Sequence, residues 1–283
     1  MMTECQWTMG TNHFELPRYI RETVFMQEQG FDCEFDATDS SALHLSLLVD
    51  AKPAGCARLY RMEDDLFAVG RVALLPGFRG LGLGRILMEE TEAKAAWLGA
   101  GRTGLSAQVQ ASGFYRQLGY LPAGEEYLDE HCPHIWMEKP LPALPLGLEW
   151  ALPGGDITPA LQVRQAVFGG ELGFSEAPDP ADDASHTLLL TQGGLPVGCG
   201  RVTPLEDGFK LGKIALLPRL RGQGAGERLM ENLEFKALEL GAAQVFLWAR
   251  LPAEGFYQRM GYHPEGETFM VDGMPHIKVV KDL

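Results

Sequence analysis

The sequence predicts a mixed α/β fold written twice in one chain. Three observations point there: an internal repeat at domain length, a strand–glycine–helix passage in each copy, and helical and strand patterns alternating between glycine and proline punctuation. Sliding the 283-residue chain on itself by 142 positions brings Arg79 onto Arg221, Gly82 onto Gly224 and Gly84 onto Gly226. The same shift lays GFYRQLGY (113–120) on GFYQRMGY (255–262) and PHI (133–135) on PHI (275–277). Upstream the offset becomes 143, matching Val24-Phe25 with Val167-Phe168 and Cys56-Ala57-Arg58 with Cys199-Gly200-Arg201. Solenoid repeats are far shorter than this period, which is the size of an independent domain. The proline-rich KPLPALPLG (139–147) reads as an extended linker, so the expected domains are 1–140 and 146–283.

The elements of the first copy follow in order. LPRYIRETVFMQEQ (16–29) carries Ile20, Val24 and Phe25 on one helical face. A strand at LHLSLLVD (43–50), a turn at AKPAG and a strand at CARLYRM (56–62) come next. The charged turn EDDL (63–66) leads into a strand at FAVGRVALL (67–75), directly before the glycines. RILMEETEAKAAWL (85–98) is a helix, with Gly99 and Gly101 as stop signals. LSAQVQ (105–110) is a strand, SGFYRQL (112–118) a short helix and HIWMEK (134–139) the last strand.

The bulk composition excludes several classes. The net charge of −14 is shared by both halves, which disfavours a nucleic-acid partner, since such proteins usually present a basic face. No apolar run is long enough to span a membrane, and the N-terminus lacks a basic start and an apolar core, so a cytoplasmic protein is expected. The five cysteines show no CxxC spacing, and no cluster has metal-ligand spacing; Cys56 and Cys199 read as small core residues.

Glycine-rich backbone at the mouth of a helix suits an anion, because the first helical amides have no intrahelical acceptor and carry partial positive charge. A tight turn with no ligand is the alternative. The spacing fits neither GxxxxGK[ST] nor GxGxxG, because Leu87 stands where a third glycine would be needed. RxxGxG preceded by LLP and followed by GFYxxxGY resembles the GCN5-related N-acetyltransferases (GNATs). In the first copy the motif is Arg79-Gly80-Leu81-Gly82-Leu83-Gly84, and in the second Arg221-Gly222-Gln223-Gly224-Ala225-Gly226. VFMQEQGF, GRVALLP, AQVQASGFYRQLGY and PHIWM further resemble the bacterial ElaA branch.

The resemblance implies two tandem GNAT-like domains, each a mixed, mostly antiparallel sheet flanked by helices, with acetyl-CoA as donor. It implies that the backbone of Val72, Ala73 and Leu74, and of Ile214, Ala215 and Leu216, pairs with the pantetheine arm like an added strand. It places the diphosphate on the loops running to Arg85 and Glu227, with Arg79 and Arg221 adding charge. An isologous contact surviving within one chain would make the halves pseudo-twofold related, as a monomer with pseudo-dimeric halves or a homodimer.

Acetyl transfer to an amine needs a neutral amine, a stabilised oxyanion and a proton for the departing thiolate. Tyr115 and Tyr257 stand where the family's thiolate-protonating tyrosine sits; aromatic packing is the alternative. Glu28 and Glu171, matched by the repeat at the end of the first helix, are candidate bases or helix-end caps. His134 and His276 in the PHI motif have a suitable intrinsic pKa, as do the matched His44 and His186, though a hydrogen-bonded structural histidine is the commoner case. The copies differ: Gln108 is answered by Arg250, and MQEQGF (26–31) by GGELGF (169–174). The expected activity is N-acetylation of a primary amine on a small molecule or protein, a cationic acceptor suiting the acidic composition. The alternative is an acyl-CoA-binding module with one or both copies non-catalytic.

Overall fold

The computed structural model describes residues 1–171, 173 and 176–283. Its contacts divide the chain into two compact units, Met1–Leu144 and Pro145–Leu283.

In domain 1, β1 (Thr3–Met9) is followed by α1 (Glu15–Arg21), which widens into π-helical turns over Glu22–Glu28. Then come β2 (Leu43–Val49), β3 (Lys52–Arg61), β4 (Leu66–Leu74), α2 (Leu83–Trp97), β5 (Arg102–Gln108), α3 (Ser112–Gln117), β6 (Leu121–Asp129) and β7 (Cys132–Pro140). The sheet order is β1-β2-β3-β4-β5-β7-β6, antiparallel except where β4 meets β5. Domain 2 repeats it: β8 (Gly147–Ala151), α4 (Thr158–Arg164) with π turns over Gln165–Gly169, β9 (His186–Gln192), β10 (Leu195–Leu205), β11 (Gly208–Leu216), α5 (Ala225–Glu239), β12 (Gln244–Arg250), α6 (Glu254–Arg259), β13 (His263–Val271) and β14 (Met274–Asp282). Its order reads β8-β9-β10-β11-β12-β14-β13, with β11 and β12 as the parallel pair.

β2 is buried along its whole length, as a central strand covered on both faces must be. Leu45, Leu47, Ala57, Leu83 and Leu87 form one packed cluster that holds α2 to one face. Ile20, Val24, Cys56, Ala73 and Leu75 form a second cluster that holds α1. Cys56 and Cys199 are core residues, and burial pushes both thiols up to about 12.

Two strands per domain carry no periodic signal, and the sequence reading has no element there. β1 and β6 are the outer strands of the sheet, and β6 is exposed at every position. A strand with one paired edge and little apolar burial needs no alternation to hold it. The AKPAG segment is shorter as a turn than its sequence suggests, because β3 already begins at Lys52.

A charged network lies inside each domain where α1 or α4 crosses the sheet. Arg21 is 1% exposed; it donates to both carboxylate oxygens of Asp39 (2.7 and 3.1 Å), to Oε1 of Glu34 (3.0 Å) and to the Glu34 carbonyl. Arg58 reaches Asp39 (2.8 Å) and Asp36 (2.7 Å). Domain 2 repeats the arrangement with Arg164 on Asp182 (2.9 and 3.0 Å) and Arg201 on Asp179 (2.9 Å) and Asp182. Burial pushes the Asp39 carboxyl up, but hydrogen bonds and charge from Arg21, then Arg58, outweigh it and hold the group at about 2.

A buried pair that loses one member leaves an uncompensated charge, at about 3–5 kcal/mol. Asp39→Ala is therefore expected to lower domain 1 stability by roughly that amount in urea unfolding. Because the folded-state pKa lies below the unfolded one, this contribution is present above about pH 4 and is lost as pH falls toward 2. Unfolding midpoints measured across that window should fall for the parent chain and fall less for Asp39→Ala.

Candidate active site

The site begins at a break in the sheet. β4 and β5 pair only at Leu66–Arg102, Phe67–Thr103 and Ala68–Gly104, although both strands continue. The cause is a bulge: between Gly70, which faces Arg58, and Ala73, which faces Cys56, β4 spends two residues where β3 spends one. Arg71 in this bulge has φ +54°, and Lys213 in the equivalent bulge of β11 has φ +51°. In domain 2 the parallel pairing likewise stops after Phe209–Val245 and Lys210–Phe246. Beyond Val72, the second residue of the bulge, Ala73 and Leu74 keep one edge on β3 and leave the other unpaired with β5, opening a cleft; Ala215 and Leu216, after Ile214, do the same between β10 and β12.

In domain 1 this cleft is a cavity of about 380 Å³. Val72, Ala73, Leu74 and Arg79 lie along one wall, with Ser106, Gln108 and Tyr115 opposite. Asp129, Glu130, His134 and Trp136 also line it.

The glycine loop lies beyond the end of β4. Gly80 and Gly82 have φ of +74° and +77°, and Gly222 and Gly224 repeat this at +69° and +80°. A Cβ at Gly80, Gly82 or Gly222 would enter the left-handed region yet meet no atom within 4 Å, so the space above the loop is open there. The third glycine has another purpose: a Cβ at Gly84 would sit 3.2 Å from Phe114 and one at Gly226 3.4 Å from Phe256, where α3 or α6 packs. Gly82 caps α2 and Gly224 caps α5 with no side-chain hydrogen bond; the Arg85 amide turns back to the Gly82 carbonyl (3.1 Å), and the amides before it in the first turn lack an intrahelical acceptor. Leu83 and Ala225 are buried, whereas Leu81 is exposed. An unpaired strand edge leading to an open, glycine-lined helix mouth fits an elongated ligand with amides along its length and an anion at its end.

Arg79 and Arg221 are both engaged by groups of the chain itself. Arg79 Nε donates to the Leu74 carbonyl (3.0 Å), and its two terminal nitrogens grip Glu28 at 2.6 and 2.7 Å. Arg221 does the same with the Leu216 carbonyl (3.1 Å) and Glu171 (2.9 Å twice). Both guanidinium groups are engaged as braces between the helix end and the last residue of the strand. The Arg79 hydrogen bond holds the Glu28 carboxyl below the usual range, the wrong direction for a base at neutral pH.

Tyr115 is 9% exposed and packs edge-on against Phe114 and Tyr120; Tyr257 is 8% exposed, in the same arrangement. Burial pushes both phenols up to about 12, so they stay protonated at neutral pH. Tyr120 and Tyr262 are core residues, and the Tyr262 hydroxyl donates to Glu234 (2.9 Å). His134 Nδ1 lies 2.9 Å from the Cys132 carbonyl and His276 Nδ1 2.9 Å from that of Met274. A carbonyl only accepts, so Nδ1 carries the proton and Nε2 of the neutral ring keeps its lone pair. His44 and His186 take no such place; burial lowers the His44 ring to about 4, with its Nε2 on the Asp39 carbonyl. Gln108 donates to Gln29 (2.9 Å). Leu172 and Phe174 of the GGELGF segment lie outside the described residues.

Sequence reasoning missed the acids and arginines beneath the cleft. Their signal was in the repeat: Arg21, Asp36, Asp39 and Arg58 fall on Arg164, Asp179, Asp182 and Arg201 at the same 143-residue offset as the core landmarks.

The sheet break, open glycine loop and buried tyrosine, each present twice, define a tandem acyl-transfer fold. A family model for the acetyltransferase (GNAT) domain matches residues 19–141 and 174–283, and the chain belongs to that family. It is 37% identical over 124 residues to the Bacillus subtilis protein named uncharacterized N-acetyltransferase YjcF, covering 43% of this chain and 88% of that one. It is 29% identical over 131 residues to Escherichia coli protein ElaA, covering 44% and 85%. The crystal structure of E. coli ElaA aligns with 48% of this chain and 99% of its own at TM-score 0.45 and 23% identity. That of an acyl-CoA N-acyltransferase from Pseudomonas aeruginosa aligns with 49% and 99% at TM-score 0.44 and 26% identity. The protein is an N-acetyltransferase that uses acetyl-CoA. No helix among the described residues is long and apolar enough to cross a membrane.

Glu28→Gln separates a brace from a base. A brace predicts a raised KM for acetyl-CoA with the acidic limb of the kcat–pH profile in place. A base predicts a kcat loss of about 100-fold or more and loss of that limb.

Proposed function

We propose that domain 1 transfers the acetyl group of acetyl-CoA to a primary amine carried by a cationic small molecule or a protein side chain. The observation that carries this reading is the cleft opened by the Arg71 bulge, with the glycine loop at one end and the acids Asp129 and Glu130 among its lining residues, while the arginines that also line it, Arg58, Arg71 and Arg79, are held by Asp36, Glu34 and Glu28. Acetyl-CoA, when bound, supplies an activated acetyl carbonyl on a thiol leaving group.

The free edge of Val72–Leu74 offers amides and carbonyls to the pantetheine arm, and amides between Gly80 and Arg85 receive the diphosphate. In domain 2, Ile214–Leu216 and Gly222–Glu227 are proposed for the same tasks. His134, with its Nε2 lone pair, takes the proton that the acceptor ammonium must lose. Tyr115 gives its hydroxyl proton to the departing sulfur, and Tyr257 would do so in domain 2. Glu28 and Glu171 act as positioning residues, through Arg79 and Arg221. Asp129 and Glu130 attract the acceptor's charge; Glu130 also accepts hydrogen bonds from the amides of Asp32 (3.1 Å) and Cys33 (3.4 Å), which fixes the rim.

A binding module without catalysis predicts the same cofactor affinity but no turnover. Calorimetry is expected to give two equivalents of acetyl-CoA per chain. Tyr115→Phe should lower acetylation of a polyamine by about 100-fold or more while leaving acetyl-CoA affinity unchanged. His134→Gln should lower turnover by about 100-fold or more, again with acetyl-CoA affinity unchanged. An unchanged rate in both variants would return the tyrosine and histidine to structural roles.

A further inference from the structure

The two domains share their backbone but differ in the side chains that face the cleft. Matching registers fix the comparison: Ser106 lies opposite Trp136 and Gln108 opposite His134 in domain 1, while Trp248 lies opposite Lys278 and Arg250 opposite His276 in domain 2. At the inner end of the cleft Ala68 is answered by Lys210 on β11, and at the rim Asp129 is answered by Val271. Where domain 1 carries small, neutral or acidic groups, domain 2 carries three cations and has lost an acid.

One of the three is spoken for, since Lys278 forms an ion pair with Glu265. Lys210 Nζ stands 3.1 Å from the centroid of the Trp248 ring, and burial, then Arg201, lowers its pKa against the raising charge of nearby Asp179. Arg250 has a buried Nε with no hydrogen-bond partner, and neither Lys210 nor Arg250 forms an ion pair among the described residues. Arg250 is also close enough to the Tyr257 hydroxyl for its charge to act on that phenol. The nearby cations Arg201 and Lys213 already hold carboxylates, Arg201 on Asp179 and Asp182, Lys213 on Glu176 at 2.7 Å. Buried guanidinium nitrogen without an acceptor is costly, and a carboxylate or phosphate is the group that satisfies it best.

We propose that the domain 2 cleft binds an acceptor carrying a carboxylate or phosphate beside its amine, held between Lys210 and Arg250. The acceptor role rests on the acetyltransferase reading of domain 2; the anion-binding role does not. Trp248 would cover the apolar body of such a ligand, while Lys210 and Arg250 hold its charged head.

The test uses the full chain and two anionic probes, O-phosphoethanolamine and β-alanine, against ethanolamine and β-alaninamide. Calorimetry should show binding of the charged-headed pair and at least about tenfold weaker binding of the other two. The double variant Lys210→Ala, Arg250→Gln, which installs the residues of domain 1, should weaken anionic binding by at least about tenfold. Lys210→Arg with Arg250→Lys should retain it, which separates loss of charge from loss of fold. Equal binding of phosphoethanolamine and ethanolamine, or anionic binding unchanged in the double variant, overturns the proposal. Acetyl-CoA titrated into the same samples reports on the acetyltransferase reading separately: anion binding with no uptake of acetyl-CoA would overturn the acceptor role and keep the anion site.

Discussion

Everything at the cleft depends on one strained residue per domain. Arg71 and Lys213 are long side chains held at positive φ in the middle of a strand, a conformation costing about 1–3 kcal/mol. Without the bulge, β4 and β5 would stay in register along their shared length and the sheet would have no opening. The strain is offset by side-chain contacts: Arg71 Nε lies 2.8 Å from Glu34 and its Nη2 3.0 Å from Asp36, and Lys213 Nζ lies 2.7 Å from Glu176. The residue that opens the sheet is thereby also the residue that anchors the loop leaving α1 or α4.

That loop is tied down from the other side by the buried arginines. Arg21 and Arg58 share Asp39, so α1, the loop and β3 are fixed with respect to one another by hydrogen bonds with direction rather than by packing alone. Apolar groups of the same volume would hold as well or better, but would not specify one register. Arg164, Asp182 and Arg201 recur in domain 2 together with the apolar residues around them, Val167, Cys199 and Ala215 answering Val24, Cys56 and Ala73, so the network and its packing are repeated as one unit. The brace from Glu28 through Arg79 to the Leu74 carbonyl continues the same line to the glycine loop. Loop, helix end and strand edge therefore form one connected frame beneath the cleft.

Much of this was legible in the sequence, and the parts that were not have a common cause. β2, β4, α2 and α3 stood out because their burial imposes a pattern on side chains, and the glycines stood out because φ near +75° imposes a residue type. β1 and β6 impose neither, being held by backbone pairing at the sheet's outer positions. The bulge was silent for the opposite reason: Arg71 is a residue that nothing local favours there, and only its contacts with Glu34 and Asp36 explain it. Glu28 was visible as a matched acid, but a carboxylate's task depends on which cation faces it across about fifty residues of chain, and that is set by the fold.

The two ends of the cleft record different kinds of constraint. The end that suits a cofactor is built from backbone: an unpaired strand edge, glycines at positive φ and the first turn of a helix. Such a surface survives changes of neighbouring side chains, which is why Leu81, Leu83 and Arg85 can become Gln223, Ala225 and Glu227 while the φ values stay within a few degrees. The other end is built from side chains on β4, β5, β6 and β7, and there a single exchange alters charge and volume together. Ala68 against Lys210, Ser106 against Trp248 and Gln108 against Arg250 are three exchanges on adjacent strands of one sheet face. Those three exchanges fit two domains drawing on one donor chemistry and distinguishing what they bring to it.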